Sequence, residues 1–170
     1  MQISIIFFIF QISLLGFFEN VHSFTSSFRQ TVTSDGKSIS YLGELYIQKP
    51  NAILWKYQNP VQKSIYIRDN SVFVVEPDLE QVIIKSIPES LKFINILQNS
   101  TKLSENRFIT KVGDNSFLII LKNNILHRII YQDEVENNIE ITFLNPQNNI
   151  SILNSVFVPI IPTDFDRIYQ

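Results

Sequence analysis

The sequence predicts a mainly β domain with a few short helices, on three observations. Apolar and polar residues alternate over short runs. The breaks between runs hold Asp, Asn, Gly or Pro, the residues that tight turns require. Fourteen Phe and six Tyr stand beside only four Gly, a stock of bulky side chains suited to sheet packing or to lining a cavity. At 170 residues the chain can bury one substantial core, and no Gly- or Ser-rich linker divides it.

In chain order, residues 3–18 form an apolar run broken only by Ser4, Gln11, Ser13 and Gly16. As a helix it would reach roughly 24 Å, short of the ~30 Å hydrocarbon core of a bilayer. Residues 1–16 are therefore expected to be a cleaved secretory signal, ending near Gly16, and residues 17–170 a single domain. An uncleaved anchor and a misassigned start codon are the alternatives, since no Lys or Arg precedes Arg29 and no Ala-x-Ala site is visible. Residues 19–32 read as a short amphipathic helix with Val21, Phe24 and Phe28 on one face. After the turn at Ser34-Asp35-Gly36-Lys37, strands are expected at 39–48, 53–58, 63–68, 72–75 and 81–85. Pro88, with Glu89 in the first turn, then opens a helix over 88–98 whose apolar stripe is Leu91, Ile94 and Leu97. Strands return at 107–112, 116–122, 125–132 and 139–144, joined by tight turns at 113–115 and 123–124. The tail, with Pro159 and Pro162, reads as an edge strand or a strap, because proline cannot donate to a central ladder.

Strand parity assigns the faces. Ile53, Trp55 and Tyr57 point one way, opposite Leu54, Lys56 and Gln58; since two of the latter are polar, the first set is expected inside. The same logic places Leu45 and Ile47 inside, and extends the face through Ile65 and Ile67 to Val82 and Ile84. Parity alone leaves open whether helices fill this face as ordinary core or a cavity remains.

Several chemistries are excluded or unsupported. With no cysteine there is no disulfide, thiolate zinc site, Cys nucleophile or Cys-linked lipid anchor. His22 and His127 lack metal-ligand spacing, and Asp133, Glu134 and Glu136 read as a solvated turn. No phosphate loop, Gly-x-Ser-x-Gly elbow or HExxH occurs. The net charge of -2 gives no reason to expect nucleic acid. No enzyme, cofactor or metal is expected.

One stretch carries more. Gly43 to Gln62, GELYIQKPNAILWKYQNPVQ, follows the pattern G-x-L-x-[IV]-x-[RK]-P-x-x-x-x-W-x-Y-x-x-P and resembles the LolA family of periplasmic lipoprotein carriers. The strand–turn–strand from Ser64 to Pro77 and the Leu79-Glu80-Gln81-Val82 run match too. VHSFTSSFRQTV is similar to that family's first-helix signature, and the tail from Phe157 to Asp166 loosely resembles its Pro-containing ending. The resemblance implies a curved, incomplete antiparallel β-barrel closed by a helical lid around an apolar cavity that holds acyl chains. It implies lipid contact by Phe24, Phe28, Leu45, Ile47, Ile53, Trp55, Tyr57, Ile65, Ile67, Leu91, Ile94 and Leu97. Lys49 stands where the family commonly has an Arg that holds the lid shut, so it is expected to gate transfer with a less rigid set of donors. The implied protein is a monomeric periplasmic chaperone. It would receive acylated lipoproteins from an inner-membrane LolCDE-like ABC transporter and deliver them to the outer membrane, to a LolB-like receptor if one is present. A carrier of another amphiphilic lipid or glycolipid on the same scaffold is the alternative.

Overall fold

A computed structural model describes residues 20–86, 99–112 and 114–170. The signal run, the 88–98 helix with Leu91, Ile94 and Leu97, and Gly113 lie outside the described residues.

The described elements are all β apart from two 3-10 turns, Pro77–Leu79 and Asn154–Phe157. The strands are β1 Ser23–Ser34, β2 Lys37–Gln48, β3 Ala52–Asn59, β4 Lys63–Arg68, β5 Ser71–Glu76 and β6 Gln81–Ser86. They continue with β7 Thr101–Ser104, β8 Arg107–Val112, β9 Asn115–Lys122, β10 Ile125–Gln132, β11 Asn138–Asn148 and β12 Asp166–Tyr169. They form one open sheet in the order β12-β6-β5-β4-β3-β2-β1-β11-β10-β9-β8-β7. Two antiparallel meanders, β1–β6 and β7–β11, are thus joined at a single seam where β1 pairs with β11. Among the described strands only β12 runs parallel to its neighbour, β6. Residues with left-handed backbone, among them Asp35, Asp69, Asn123 and Asn124, make the hairpin turns, as short polar side chains that tolerate this region should.

Two expectations change. Residues 23–34 are a strand, not part of an amphipathic helix. Phe24 and Phe28, four apart, satisfy both the helical and the strand period. The β-branched Thr25, Thr31, Val32 and Thr33, and two neighbouring strands in need of a partner, decide for β. Ser26 is only 3% exposed. It sits at a bulge against β11, and its hydroxyl donates to the Leu144 carbonyl (2.8 Å), with the Ser27 carbonyl also in reach at 2.7 Å.

Second, Val82 and Ile84 lie on the opposite face from Ile53. Across the ladders Ile53 meets Ile67, which meets Val72, which meets Lys85; Leu54 instead meets Tyr66, then Phe73, then Ile84. Val82 therefore packs with Leu54, Tyr66 and Val75 on the outer face. That face is apolar because the C-terminal strap covers it: Ile152, Val156, Phe157, Ile161 and Phe165 seat on it, with Phe157 2% exposed. The tail is thus both of the things its prolines suggest, a strap over 149–165 that ends in the edge strand β12.

The larger core occupies the inner face. Phe24, Phe28, Leu45, Ile47 and Ile53 from the first meander meet Phe108, Ile119, Leu121, Ile129, Ile141 and Phe143 from the second. From β4 to β8 the sheet order runs through seven strand spacings, about 34 Å if flat at 4.8 Å each. Residues of both strands nevertheless line one cavity, so the sheet curls.

Candidate functional site

The cavity lies on the inner face and measures about 340 Å³. One wall is Leu45, Ile53, Trp55, Tyr57, Ile65 and Ile67; the other is Thr110, Phe117, Ile119, Ile129, Tyr131 and Ile141, with Gln30 on β1 between them. Among the described residues no lining residue is charged. The expected Leu45, Ile53, Trp55, Tyr57, Ile65 and Ile67 all reach it. Phe24, Phe28 and Ile47 belong to the same core without lining the space.

Gly43 lets these parts come together. A Cβ there would run into the Lys56 carbonyl oxygen and the edge of the Phe28 ring, beside the bulge where Leu42 pairs with Asn59 and Gly43 with Tyr57. Phe28 can then lie across the sheet beneath two aromatics, its ring centroid 5.0 Å from Trp55 and 5.2 Å from Tyr57. Trp55 also meets Phe143 at 6.3 Å, edge on, tying β3 to β11. On the opposite wall Phe117 and Tyr131 are 4.7 Å apart.

The few polar atoms are held neutral. The Tyr57 hydroxyl donates to Gln30 Oε1 at 2.7 Å. Burial pushes its pKa far up, with Tyr131 adding to the effect. Burial raises Tyr131 as well, and the nearby Asp133 adds to it. The indole Nε1 of Trp55 is buried without a hydrogen-bond partner among the described residues. A cavity of this size without a charge selects for apolar chains rather than for ionic groups.

Lys49 is elsewhere. It lines a separate cleft of about 430 Å³ with His22, Ser23, Gln48 and residues 149–152. Its backbone N–H donates to the His22 carbonyl at 2.9 Å. Asp133 is occupied as a turn former: its carboxylate accepts from the N–H groups of Val135 (3.0 Å) and Asn137 (2.9 Å) and from Asn137 Nδ2 (2.9 Å), which hold its pKa below the usual range. No group of three or more His, Cys, Asp or Glu side chains able to hold a metal occurs among the described residues.

Residues 19–124 match the family described as "Outer membrane lipoprotein carrier protein LolA". Along its whole length the chain is 33% identical to an outer-membrane lipoprotein carrier protein of Wolinella succinogenes, itself covered completely. The chain belongs to the LolA family. A carrier protein of the same name from Campylobacter jejuni is also 33% identical, with 95% of each chain covered. Among solved structures, an uncharacterized conserved protein from Thermus thermophilus aligns over 92% of this chain and 97% of its own, with TM-score 0.59 and 10% identity. A LolA superfamily protein from Nitrosomonas europaea aligns over 86% and 96%, with TM-score 0.50 and 10% identity. These two likenesses concern the fold, and they agree with a LolA-type curled sheet.

The second wall of the LolA cavity escaped the sequence reading. Phe117 and Ile119, Ile129 and Tyr131, and Ile141 stand at alternate positions of their strands, so the parity applied to β2–β4 identifies them as well.

Proposed function

We propose that this LolA-family protein is a periplasmic lipoprotein carrier that takes the acyl chains of its cargo into the cavity between the two meanders. The observation that carries the reading is the uncharged aromatic and aliphatic wall from Leu45 to Ile141 in a chain whose relatives are named as lipoprotein carriers. Each methylene moved from water to such a wall gains about 0.8 kcal/mol, so partial burial of a few chains offsets much of the cost of keeping them out of a membrane. No catalytic step is needed. Loading is assigned to an inner-membrane ABC transporter of the LolCDE type, and unloading to an outer-membrane receptor where one exists.

Residues 1–16 serve in this reading as the export signal. Leu91, Ile94 and Leu97 contribute a lid over the cavity mouth, and Lys49, at the end of β2, couples closure to release. The deciding experiment incubates spheroplasts bearing labelled lipoproteins with the purified protein. Lipoprotein should appear in the supernatant as a complex with it. Lipoprotein that stays with the spheroplasts, while copurified glycolipid or another amphiphile fills the protein, would reassign the cargo.

A further inference from the structure

The apolar cavity does not end at its own wall. A second space of about 320 Å³ is lined by Val32, Tyr41, Val61 and Lys63, together with Gln30, Tyr57 and Ile65. The last three line the cavity as well, so the two spaces meet at them. The second space lies toward the β1–β2 hairpin and the β3–β4 turn, where Val32 pairs with Ile39 and Tyr57 with Lys63. Its charged member, Lys63, is offset by Glu76, whose Oε1 is 2.7 Å from the Lys63 Nζ. The first space is thus hydrocarbon-lined and the second mixed, with Gln30 and Tyr57 on the boundary.

Gln30 is out of character with its surroundings. Alternation along β1 turns Phe28, Gln30 and Val32 to the inner face. A leucine or methionine at position 30 would complete an apolar wall, whereas an amide brings a donor and an acceptor that both need partners. Tyr57 supplies one of them, its hydroxyl donating to Gln30 Oε1 at 2.7 Å. The Tyr57 ring is itself fixed edge-on between Phe28 (5.2 Å) and Tyr41 (6.2 Å), so this bond is well anchored. The Gln30 Nε2 group has no acceptor among the described residues. Turning the amide over, so that Nε2 donates to the phenol oxygen, only passes the surplus on: the hydroxyl hydrogen is then unmatched. Trp55, the neighbour of Tyr57 on the same face of β3, adds its Nε1, also without a partner among the described residues. The surplus consists of donors, so what the boundary lacks is an acceptor.

We propose that the Gln30–Tyr57 pair receives the carbonyl oxygen of an acyl chain, held as its ester or amide, with the hydrocarbon in the cavity and the polar remainder of the amphiphile in the second space. This rests on the carrier reading and deepens it, since it fixes how far the chain enters and which way its head points. An acyl chain differs from an alkyl chain of equal length by one carbonyl, placed between hydrocarbon and head. The pair stands at the corresponding boundary of the protein.

The probes are monododecanoylglycerol and monododecylglycerol, neutral amphiphiles that differ only in the ester carbonyl, with N-dodecanoylserinol as the amide counterpart. Calorimetric titration of the delipidated protein gives the ester-to-ether affinity ratio in wild type and in Gln30→Met, a side chain of similar length without a donor. The ratio should fall roughly tenfold in the variant, the worth of about one hydrogen bond to a carbonyl taken out of water, while the ether binds as before. The amide-to-ether ratio should fall too, and the larger of the two falls identifies the linkage the pair takes. The ether doubles as a check that the variant is folded. Should Gln30→Met not fold, Tyr57→Phe, which leaves the amide untethered, carries the same test and should lower both ratios by a smaller factor. Ether binding with both ratios unchanged would overturn the proposal and leave the carrier reading standing. Failure of all three probes to bind wild type would sink the carrier reading and the proposal with it.

Discussion

Replacing Ile53 by Glu puts a carboxylate on the cavity wall, and the cost can be worked from the structure. Ile53 is 7% exposed, pairs with Ile47 and Ile67 across the sheet, and lines the space with no charged neighbour among the lining residues. Losing the isoleucine costs about 2 kcal/mol of apolar burial. In these surroundings a carboxyl pKa should rise by about two units, and at 1.36 kcal/mol per unit the charge adds about 3 kcal/mol at pH 7. The sum, about 5 kcal/mol, consumes much of the 5–15 kcal/mol that typically holds a domain folded. The charge part is pH-dependent in a fixed sense. For an acid whose folded pKa lies above its unfolded one, the cost is fully developed above the folded pKa and vanishes below the unfolded one. Urea unfolding of Ile53→Glu and wild type, compared at about pH 7 and about pH 4, should show the gap shrinking by roughly 3 kcal/mol at the lower pH. Gln58→Glu, exposed on the other side of the same strand, should show no such change. At neutral pH the Ile53 variant should not take up acylated peptide. A stability loss independent of pH, or full uptake, would refute the placement of Ile53 on a dry cavity wall.

Gly43→Ala should cost about 3 kcal/mol, the upper end for overpacking, because its methyl meets a backbone oxygen as well as the Phe28 ring; a lowered urea midpoint at unchanged m-value checks it. Glu76 accepts from Lys63 Nζ and Gln81 Nε2, each at 2.7 Å, and these bonds hold its pKa below the ordinary 4.5. Its contribution is therefore present above 4.5 and lost as pH falls through the lowered value. Glu76→Gln should cost about 1 kcal/mol at pH 7 and nothing at about pH 2, by denaturation across that range. Lys49→Leu should bind acylated peptide normally and pass it to outer-membrane vesicles slowly, with Lys49→Arg restoring transfer; a wild-type rate in Lys49→Leu would leave this residue only its place in the turn.

What the sequence revealed followed from which local rules stood unopposed. Strands 63–68, 107–112 and 125–132 were readable to the residue because alternation and Asp or Asn turns agree at both ends. β1 was not, since Phe24 and Phe28 fit two periods and the buried Ser26 mimics a polar break; only its partners β2 and β11 choose between them. The faces of β3 and β4 follow from adjacency, whereas the face of β6 depends on register. The 3-10 turn Pro77–Leu79, with Glu80 in left-handed backbone, brings Val75 opposite Val82, and no parity count carries across it. The first wall of the cavity was legible where the family pattern is dense; the second, which the reading missed, has parity as its one signal. That the outer face is also apolar was hidden, because Leu54 shares its parity with Lys56 and Gln58 and the strap that buries it lies a hundred residues downstream.

The seam between the meanders sets a schedule for the growing chain. β1 finds β2 at once, through Ser34 opposite Lys37, but its other edge is completed only by residues 138–148, with Phe24 opposite Asn148. During synthesis β1 is among the first strands to emerge and waits for one of the last, bearing a bare row of backbone donors and acceptors beside two phenylalanines. Such an edge invites pairing with another nascent copy. Near its far end the ladder is interrupted by the Ser26 bulge facing the Asn145–Pro146 kink, where Pro146 has no N–H to give and Asn145 is left-handed. A straight strand cannot reproduce that interruption, so the irregular stretch of the seam favours residues 138–148 over any regular strand that β1 meets while waiting.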